Sequence, residues 1–318
     1  LIGLFIGILS TSIVQSSSAT TSIVVGMVAA GTLSLQGAVP IIMGANMGTT
    51  VTNIIVSLGH ITRPTEFRRA FAGATVHDFF NMLSVIVLLP LEIMTGYLKK
   101  SAEILQSLFA DVGGLNLLSP VKALVKPVVD IILHTTDALI SGKTATAVVC
   151  LVIAFVLLFF ALARLTKIMK VLMVGRVERL LHDFLFVNQL RSFIFGIIIT
   201  AIIQSSSVVT SLAVPLVAAG IITVEQVFPF TLGSNIGTTI TAILAALVTQ
   251  NPVAISAAFV HLLFNVSGII IWFPLKVVPI SMAKGFSSFI AGRRYLAIIY
   301  VIVMFYGVPL LLALLTKK

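Results

Sequence analysis

The sequence contains the same segment twice, and this duplication constrains the fold more than any other feature. Residues 15–52 and residues 204–241 align without a gap, and roughly half of their positions are identical. Each copy opens on Gln-Ser-Ser-Ser and closes on a Gly-x-Asn-x-Gly-Thr-Thr pattern. A second match pairs residues 73–92 with residues 257–276. The chain is therefore predicted to consist of two homologous halves joined by a middle section.

The repeats lie in a chain that is too apolar for water. Of its 318 residues, 58% are hydrophobic and 9% are charged, whereas a soluble domain carries roughly 25% charged residues. The composition excludes a soluble domain and predicts a multi-pass protein of the cell membrane. Because a spanning helix needs about 20 apolar residues, the length allows about eight to ten membrane segments. We expect the net charge of +10 to reflect cytoplasmic loops rather than binding to nucleic acid.

Basic residues predict how the chain is oriented. Residues 164–191 carry six Lys or Arg, which makes this segment the best cytoplasmic candidate. Counting apolar segments from there puts residues 99–143 outside and residues 60–69 inside. The segments that follow the two repeated motifs then end on opposite sides of the membrane. The repeats are therefore predicted to be inverted, a design that encloses a midplane site in many secondary transporters.

This topology divides the chain into five predicted parts. In order, they are a first repeat (1–98), an extracellular loop (99–143), a connecting span with a basic cytoplasmic segment (144–191), a second repeat (192–276), and an interfacial segment with a C-terminal span (277–318).

The two Gln-Ser-Ser-Ser motifs predict re-entrant hairpins. The apolar arms on either side are about 12–16 residues long, and neither is long enough to span a bilayer. A tip at membrane depth requires protein or a water-filled cavity to satisfy its backbone. The backbone N–H groups that begin the second arm are expected to be unpaired, with a Ser available as cap. Packing between helices by small polar residues is the alternative, which the duplication of the whole pattern disfavours.

The Gly-x-Asn-x-Gly-Thr-Thr pattern predicts a discontinuous helix in each repeat. Closely spaced glycines are expected to break the helix, and the Thr residues to cap the half that restarts. The fold class is then an all-α polytopic membrane protein with two inverted repeats, each holding one hairpin and one broken helix. Four half-helix N-termini would meet near the midplane and form an anion site without Lys or Arg. Gln, Asn and hydroxyl oxygens are hard ligands that suit Na⁺.

These motifs closely resemble those of the type II sodium/phosphate cotransporters. The resemblance includes Phe-Arg-Arg-Ala-Phe at the start of residues 67–81, and it covers roughly residues 1–98 and 192–315. It implies a symporter that imports inorganic phosphate by alternating access, with Na⁺ as coupling ion, no organic cofactor, and phosphate, sodium and membrane lipid as partners. We expect a bacterial member, and compared with animal members the 99–143 loop is shorter and lacks cysteine.

The resemblance also implies which residues bind. Carried over by position, the residues expected to bind phosphate are Ser16, Ser17, Ser18, Asn46, Thr49, Ser205, Ser206, Ser207, Asn235 and Thr238. The residues expected to bind sodium are Gln15, Thr21, Ser22, Thr50, Gln204, Thr210, Ser211 and Thr239.

Several ionisable residues lie in predicted spans, where such residues are functional candidates by default. We expect the matched pair His77 and His261 to hydrogen-bond the repeat scaffold. Asp78 has no acidic counterpart in the second repeat, so it is either a cation ligand or the partner of an Arg in residues 63–69. Glu92 is expected to be interfacial.

Other function classes remain as alternatives. A membrane phosphate sensor or scaffold would bind the anion without net transport, and an anion channel could use the same helix dipoles. An enzyme is not expected, because the sequence shows neither a nucleophile elbow nor a metal-binding spacing.

Overall fold

The computed structural model describes most of the chain. It covers residues 1–111, 119–140, 142, 145–150, 152, 153, 156, 157 and 188–315, with the backbone alone at 111 and 119–126. Much of the predicted span after residue 144, and nearly all of the predicted basic segment that ends at residue 191, lie outside these residues. Within the described part, all regular structure is helical.

Seven helices precede residue 140 in the part of the chain described, and residues 145–150 are helical as well. They are α1 (Ile2–Val14), α2 (Ser17–Ala29), α3 (Leu35–Thr49), α4 (Val51–Leu58), α5 (Pro64–Thr95), α6 (Tyr97–Asp111) and α7 (Ser119–Leu139).

The helices of the second half follow the same order. They are α8 (Gln189–Ile203), α9 (Ser206–Ala219), α10 (Val224–Thr249), α11 (Pro252–Trp272), α12 (Val277–Ala291), α13 (Tyr295–Val301), a π-helical turn (Ile302–Gly307) and α14 (Val308–Leu315).

The lengths of these helices confirm a polytopic helical membrane protein. Five helical stretches in the described residues are long and apolar enough to cross a bilayer: Leu35–Leu58, Pro64–Thr95, Val224–Thr249, Pro252–Trp272 and Tyr295–Leu315. The helices α1, α2, α8 and α9, which flank the two Ser motifs, have only 13 to 15 residues. At 1.5 Å per residue these arms reach about 20 to 23 Å, less than the roughly 30 Å of hydrocarbon.

The predicted broken helix is wrong in the second repeat, and in the first repeat the break is limited to one residue between α3 and α4. In the second repeat α10 runs without interruption from Val224 to Thr249. In the first repeat the only interruption is at Thr50, whose φ of −72° and ψ of −19° are still those of a right-handed helix. The Thr50 side chain makes no capping hydrogen bond to α4. Neither motif therefore exposes a new helix N-terminus.

The glycines of this motif allow two helices to approach closely instead of breaking one. A Cβ atom on Gly44 would lie 2.0 Å from the carbonyl oxygen of Leu4 in α1. A Cβ atom on the matched Gly233 would lie 1.9 Å from the carbonyl oxygen of Phe193 in α8. Small residues at helix contacts are a usual means of packing in membranes, where the hydrophobic effect does not drive helices together. This close packing joins α1 to α3 and α8 to α10.

The two repeats interlock. The helix α2 of the first repeat packs on α10 and α11, and α9 of the second repeat packs on α4 and α5. One apolar core cluster includes side chains from both halves, among them Ile42, Phe71, Val214 and Phe264. Both helices that begin at a Ser motif therefore lie at the interface between repeats.

Glu92 has a local role at the end of α5. Its Oε2 accepts hydrogen bonds from the backbone N–H groups of Leu98, at 2.6 Å, and Lys99, at 3.4 Å. A carboxylate at this position accepts from the unpaired N–H groups at the start of α6. Its negative charge also interacts favourably with the positive N-terminal end of the α6 dipole.

Candidate substrate and ion site

The two Gln-Ser motifs form nearly identical turns. Gln15 and Gln204 lie in the left-handed region, with φ of 55° and 56°, which is uncommon for a residue other than glycine. Their backbone N–H groups donate to the carbonyl oxygens of Thr11 and Thr200, each at 2.6 Å. Helices α1 and α8 end at these residues. The next helix begins within three residues, at Ser17 or Ser206, so each repeat has the predicted pair of short helices joined at the Ser motif.

A serine caps the second helix of each pair. Ser16 and Ser205 are extended, with φ of −148° in both. The Ser16 hydroxyl accepts from the N–H of Ala19 at 3.2 Å, and the Ser205 hydroxyl accepts from the N–H of Val208 at 3.4 Å. Ser16 and Ser205 are thereby occupied as caps, while the first amides of α2 and α9 still lack partners within the helix.

The two turns touch each other. The Ser18 hydroxyl donates to the backbone carbonyl of Gln204, across the repeats, at 3.0 Å. Ser18 and its counterpart Ser207 are both at most 3% exposed. The N-terminal ends of α2 and α9 therefore meet at one buried location. The structure brings together two helix N-termini here, rather than the four that broken helices would have supplied.

Several polar groups at this location have no hydrogen-bond partner among the described residues. The set comprises the hydroxyls of the buried Ser17, Ser206 and Ser207 and the side-chain amides of the exposed Gln15 and the partly exposed Gln204. Each of these hydroxyls can donate to an oxyanion, and each amide offers both a donor and an acceptor. Ser22, one turn further along α2, also has an unpartnered hydroxyl.

The threonines near the site already have acceptors for their protons, in most cases carbonyls of their own helices. Thr21 donates to Ser17 O at 2.7 Å, and the hydroxyl of Thr210 lies 2.7 Å from Ser206 O. The same bond to the carbonyl four residues earlier, or to the one three residues earlier, occupies four other motif hydroxyls: Thr49, Ser211, Thr238 and Thr239. The Thr50 hydroxyl lies 2.8 Å from Met47 O and 2.9 Å from Asp78 Oδ1, so its proton is also taken. A hydroxyl that donates to the backbone has lone pairs left and no free proton. These oxygens are suited to a cation rather than to an anion.

Asn235 binds the scaffold of the other repeat. Its Oδ1 lies 2.7 Å from Nε2 of His77, and its Nδ2 donates to Asn81 Oδ1 at 3.0 Å. The other ring nitrogen of His77, Nδ1, faces Asn53 Nδ2 at 3.4 Å. Because an amide oxygen only accepts, Nε2 of His77 carries the proton. His77 thus hydrogen-bonds the repeat scaffold, as its symmetric pairing predicts.

The matched network around Asn46 is incomplete. Asn46 Oδ1 accepts from His261 Nε2 at 3.3 Å and from Asn265 Nδ2 at 3.4 Å. Nδ1 of His261 is buried without a partner among the described residues. Ala242 occupies the position equivalent to Asn53, so the second repeat lacks the amide that binds His77 from the other side. Both motif asparagines are therefore engaged with the opposite repeat and are buried, with exposures of 2–3%.

Asp78 is a buried carboxylate with neutral partners. Its Oδ1 accepts from the Thr50 hydroxyl at 2.9 Å, and its Oδ2 accepts from the Tyr300 hydroxyl. It is 2% exposed and forms no ion pair with a described residue. The predicted alternative of pairing with an Arg of residues 63–69 is wrong, since Arg63 pairs instead with Glu66 at 3.1 Å. A buried carboxylate without a counter-charge is costly unless it binds a cation or a proton.

Sequence reasoning missed two residues of this network. Asn53 connects His77 to Thr210, whose hydroxyl lies 2.9 Å from Asn53 Oδ1. The signal was available, because Asn53 directly follows the first copy of the motif at a position where the second half has Ala242. Tyr300 binds Asp78 from a C-terminal helix that lies outside both duplicated segments, so the repeat pattern gives no sign of it.

The proteins that this chain is similar to belong to the family that its motifs resemble. The chain matches the family described as Na⁺/Pi-cotransporter over residues 1–118 and 157–293. It is 34% identical to the human sodium-dependent phosphate transport protein 2B, over 98% of this chain and 58% of that protein. It is 36% identical to the sodium-dependent phosphate transport protein 2A of Rattus norvegicus, over 96% of this chain and 59% of that protein.

The chain thus spans less than three fifths of the length of these curated relatives. No solved structure matches it.

Proposed function

This chain belongs to the Na⁺/Pi-cotransporter family, and from that premise we propose that it imports inorganic phosphate together with sodium through the site between its repeats. The observation that carries the proposal is the contact of the two serine-capped helix N-termini, joined by Ser18 and Gln204. It supports an anion site at the centre of a membrane protein.

Phosphate would bind at these helix ends. The first amides of α2 and α9 carry partial positive charge, and free N–H groups at a helix N-terminus bind phosphate without help from Lys or Arg. The hydroxyls of Ser17, Ser206 and Ser207 are free to donate to its oxygens. Ser18 can join them once it releases the carbonyl of Gln204.

Sodium would bind beside the phosphate, where oxygens have lone pairs and no free protons. Thr21, Thr50, Thr210 and Thr239 are hydroxyls of this kind. By the same argument we reassign Thr49 and Thr238 from phosphate to sodium, because each donates its proton to a helix carbonyl at 3.0 Å. We assign Asn46 and Asn235 to the scaffold.

Asp78 is the acidic candidate for the coupling ion in the part of the chain described around the motifs. It lies against Thr50, a residue already expected to bind sodium, and it lacks a cationic partner among the described residues. Sodium bound there would neutralise a carboxylate that is costly to bury. It would also supply positive charge close to a divalent anion. Binding of each ion would therefore favour binding of the other.

Alternating access would exchange the roles of the two repeats. The hydrogen bond from Ser18 to Gln204 has no mirror image, because Ser207 does not reach Gln15 in the described structure. Repeats that are equivalent in sequence but not in contacts fit a transporter that alternates between two states. The mirror-image contact from Ser207 to the Gln15 carbonyl is what the opposite state would form.

The test is uptake by the purified full chain in liposomes. Radiolabelled phosphate should accumulate when an inward sodium gradient is present and should not accumulate when choline replaces sodium. Equal uptake in both media would reject sodium coupling. Phosphate loaded inside should accelerate uptake of external label, which a sensor or scaffold cannot do. Flux that fails to saturate with phosphate would favour a channel.

The site is tested by a matched pair of variants. Ser207→Leu puts a bulky side chain at the contact of the helix ends and should abolish uptake. Ser281→Leu makes the same change on the exposed face of α12 and should leave uptake unchanged. Both variants should elute as the wild-type protein does in size-exclusion chromatography. Normal uptake by Ser207→Leu would reject the site.

A further inference from the structure

A second group of polar residues lies away from the helix ends, in two adjoining cavities between α5, α9, α10 and α12. One cavity has a volume of about 330 Å³ and the other of about 290 Å³. Both are lined by Arg69, Val224 and Lys284. The second is also lined by Arg68, Ala72, Ser287 and Ser288. Cavities of about 300 Å³ are at the lower end of the size range for ligand sites.

Two of the cations in these cavities are not neutralised. Arg68 and Arg69 form neither a hydrogen bond nor an ion pair within the part of the chain described. Lys284, in contrast, pairs with Glu225, which also lines the first cavity. The charges of Lys284 and Glu225 cancel each other. The two cavities together therefore keep the positive charges of the Arg68 and Arg69 guanidinium groups. A guanidinium is weakly hydrated and presents a planar fork that matches phosphate oxygens.

Other groups in the lining favour an anion as well. The helix α10 begins at Val224, so its first turn, with the positive end of its dipole, forms part of the wall. The hydroxyl of Ser288 lies in the opposite wall, on α12, whereas that of Ser287 donates to the carbonyl of Lys284 at 3.0 Å. The Arg69 guanidinium lies so near Gly220 that a Cβ atom there would be 2.6 Å from a guanidinium nitrogen. The backbone therefore leaves space for this guanidinium group.

The cavities lie where two spanning helices begin. Arg68 and Arg69 are in the first two turns of the spanning candidate Pro64–Thr95, and Val224 is the first residue of another. Next to lining residues, Ile221 and Phe289 are 48% and 61% exposed. A charged pocket at the end of two spans with exposed apolar side chains beside it has the chemistry of a lipid headgroup site.

We propose that Arg68, Arg69 and the first turn of α10 bind the phosphoryl group of an anionic phospholipid, with its acyl chains beside Ile221 and Phe289. This site is separate from the one between the repeats and does not depend on the proposed transport. Inorganic phosphate shares the phosphoryl chemistry, and the experiment distinguishes the two sources.

The purified full chain in detergent is titrated with dioleoyl phosphatidylglycerol or dioleoyl phosphatidylcholine, and native mass spectrometry measures the fraction that carries one lipid. Phosphatidylglycerol should bind more tightly than phosphatidylcholine. Arg69→Gln should weaken binding of phosphatidylglycerol by about fivefold, as expected for loss of one basic contact to an anionic lipid. It should not change binding of phosphatidylcholine. Arg293→Gln removes the same charge from an exposed residue outside both cavities and should have no effect.

Two results would overturn the proposal. One is equal binding of the two lipids, or the same affinity in Arg69→Gln and Arg293→Gln. The other is displacement of phosphatidylglycerol by millimolar inorganic phosphate, which would make the cavity a site for the free anion. Arg68→Gln serves as a second variant if Arg69→Gln does not fold, and the same loss of phosphatidylglycerol binding is expected of it.

Discussion

His77 of the first repeat and Asn235 of the second are joined by a buried hydrogen bond of 2.7 Å. The mirror-image pair, His261 and Asn46, is separated by 3.3 Å. The asparagine of each Gly-x-Asn motif is thus held by a histidine of the opposite repeat. All four side chains are at most 3% exposed. The two halves are therefore connected at the level of single side chains as well as by packing.

The first prediction concerns this pair. Replacing His77 or Asn235 by Ala leaves a buried partner unsatisfied, which should lower the free energy of unfolding by about 1–3 kcal/mol each. The double variant should be less destabilised than the sum, with a coupling of about 0.5–3 kcal/mol. Thermal unfolding in detergent of the wild-type protein, the two single variants and the double variant measures these changes in stability. Additive effects would mean that the hydrogen bond contributes nothing to stability.

The mirror-image pair is the control for that cycle. His261 and Asn46 are farther apart, and Nδ1 of His261 lacks the partner that Asn53 offers to His77. Their coupling should therefore be weaker. Ala242→Asn would restore the missing amide at the equivalent position, and it should strengthen the second network if the cavity beside His261 admits it.

The repeat pattern predicted the helical pairs around each Ser motif because arm length and capping are local properties. An arm of 13 residues cannot cross a bilayer, and a Ser that precedes a helix caps it. Ser16 and Ser205 behave in this way. The broken helices failed for a different reason. Glycine spacing predicts only the effect on an isolated helix, whereas the role of Gly44 and Gly233 is set by the helix that packs against each of them.

The candidate site was predictable only in part. The duplicated polar residues identify both turns. Which hydroxyl is free to donate to a ligand depends on the residues packed around it, and sequence spacing does not specify those residues. Asn46 and Asn235 have amides suited to ligands, yet histidines 215 and 158 residues away in the sequence bind them. Tyr300 reaches Asp78 from a helix outside the repeats, so only the folded structure identifies that contact.

A second prediction concerns the glycines at the helix contacts. Gly44→Ala would put Cβ 2.0 Å from a backbone carbonyl, so the helices must separate. We expect a loss of stability of about 1–3 kcal/mol or more, seen as a lower melting temperature. Gly26→Ala is the matched control, since a Cβ atom there meets nothing within 4 Å. In mid-helix that change should stabilise by up to about 1 kcal/mol, and equal melting temperatures for the two variants would contradict the packing argument.

A third prediction concerns Asp78. Asp78→Asn keeps the size of the side chain and an oxygen to accept from Thr50, but it removes the charge. The sodium concentration for half-maximal phosphate uptake should rise by about tenfold, as for loss of one charge-assisted contact. Glu66→Gln, near the start of α5, removes a carboxylate that pairs with His60 and Arg63, and it should leave sodium dependence unchanged. An unaltered sodium dependence in Asp78→Asn would exclude Asp78 as a ligand of the coupling ion.

The last prediction separates the two serines that are equivalent in sequence. Ser18 donates to the carbonyl of Gln204, whereas the hydroxyl of Ser207 has no partner within the described residues. Ser18→Ala should therefore lower the melting temperature, corresponding to about 0.5–1.5 kcal/mol for one hydrogen bond. Ser207→Ala should leave the melting temperature unchanged and raise the phosphate concentration for half-maximal uptake. The melting temperatures of both variants are measured without phosphate. Uptake by both variants is measured at a saturating concentration of sodium. If the two variants melt alike, the contact between the turns does not distinguish the repeats in the protein as purified.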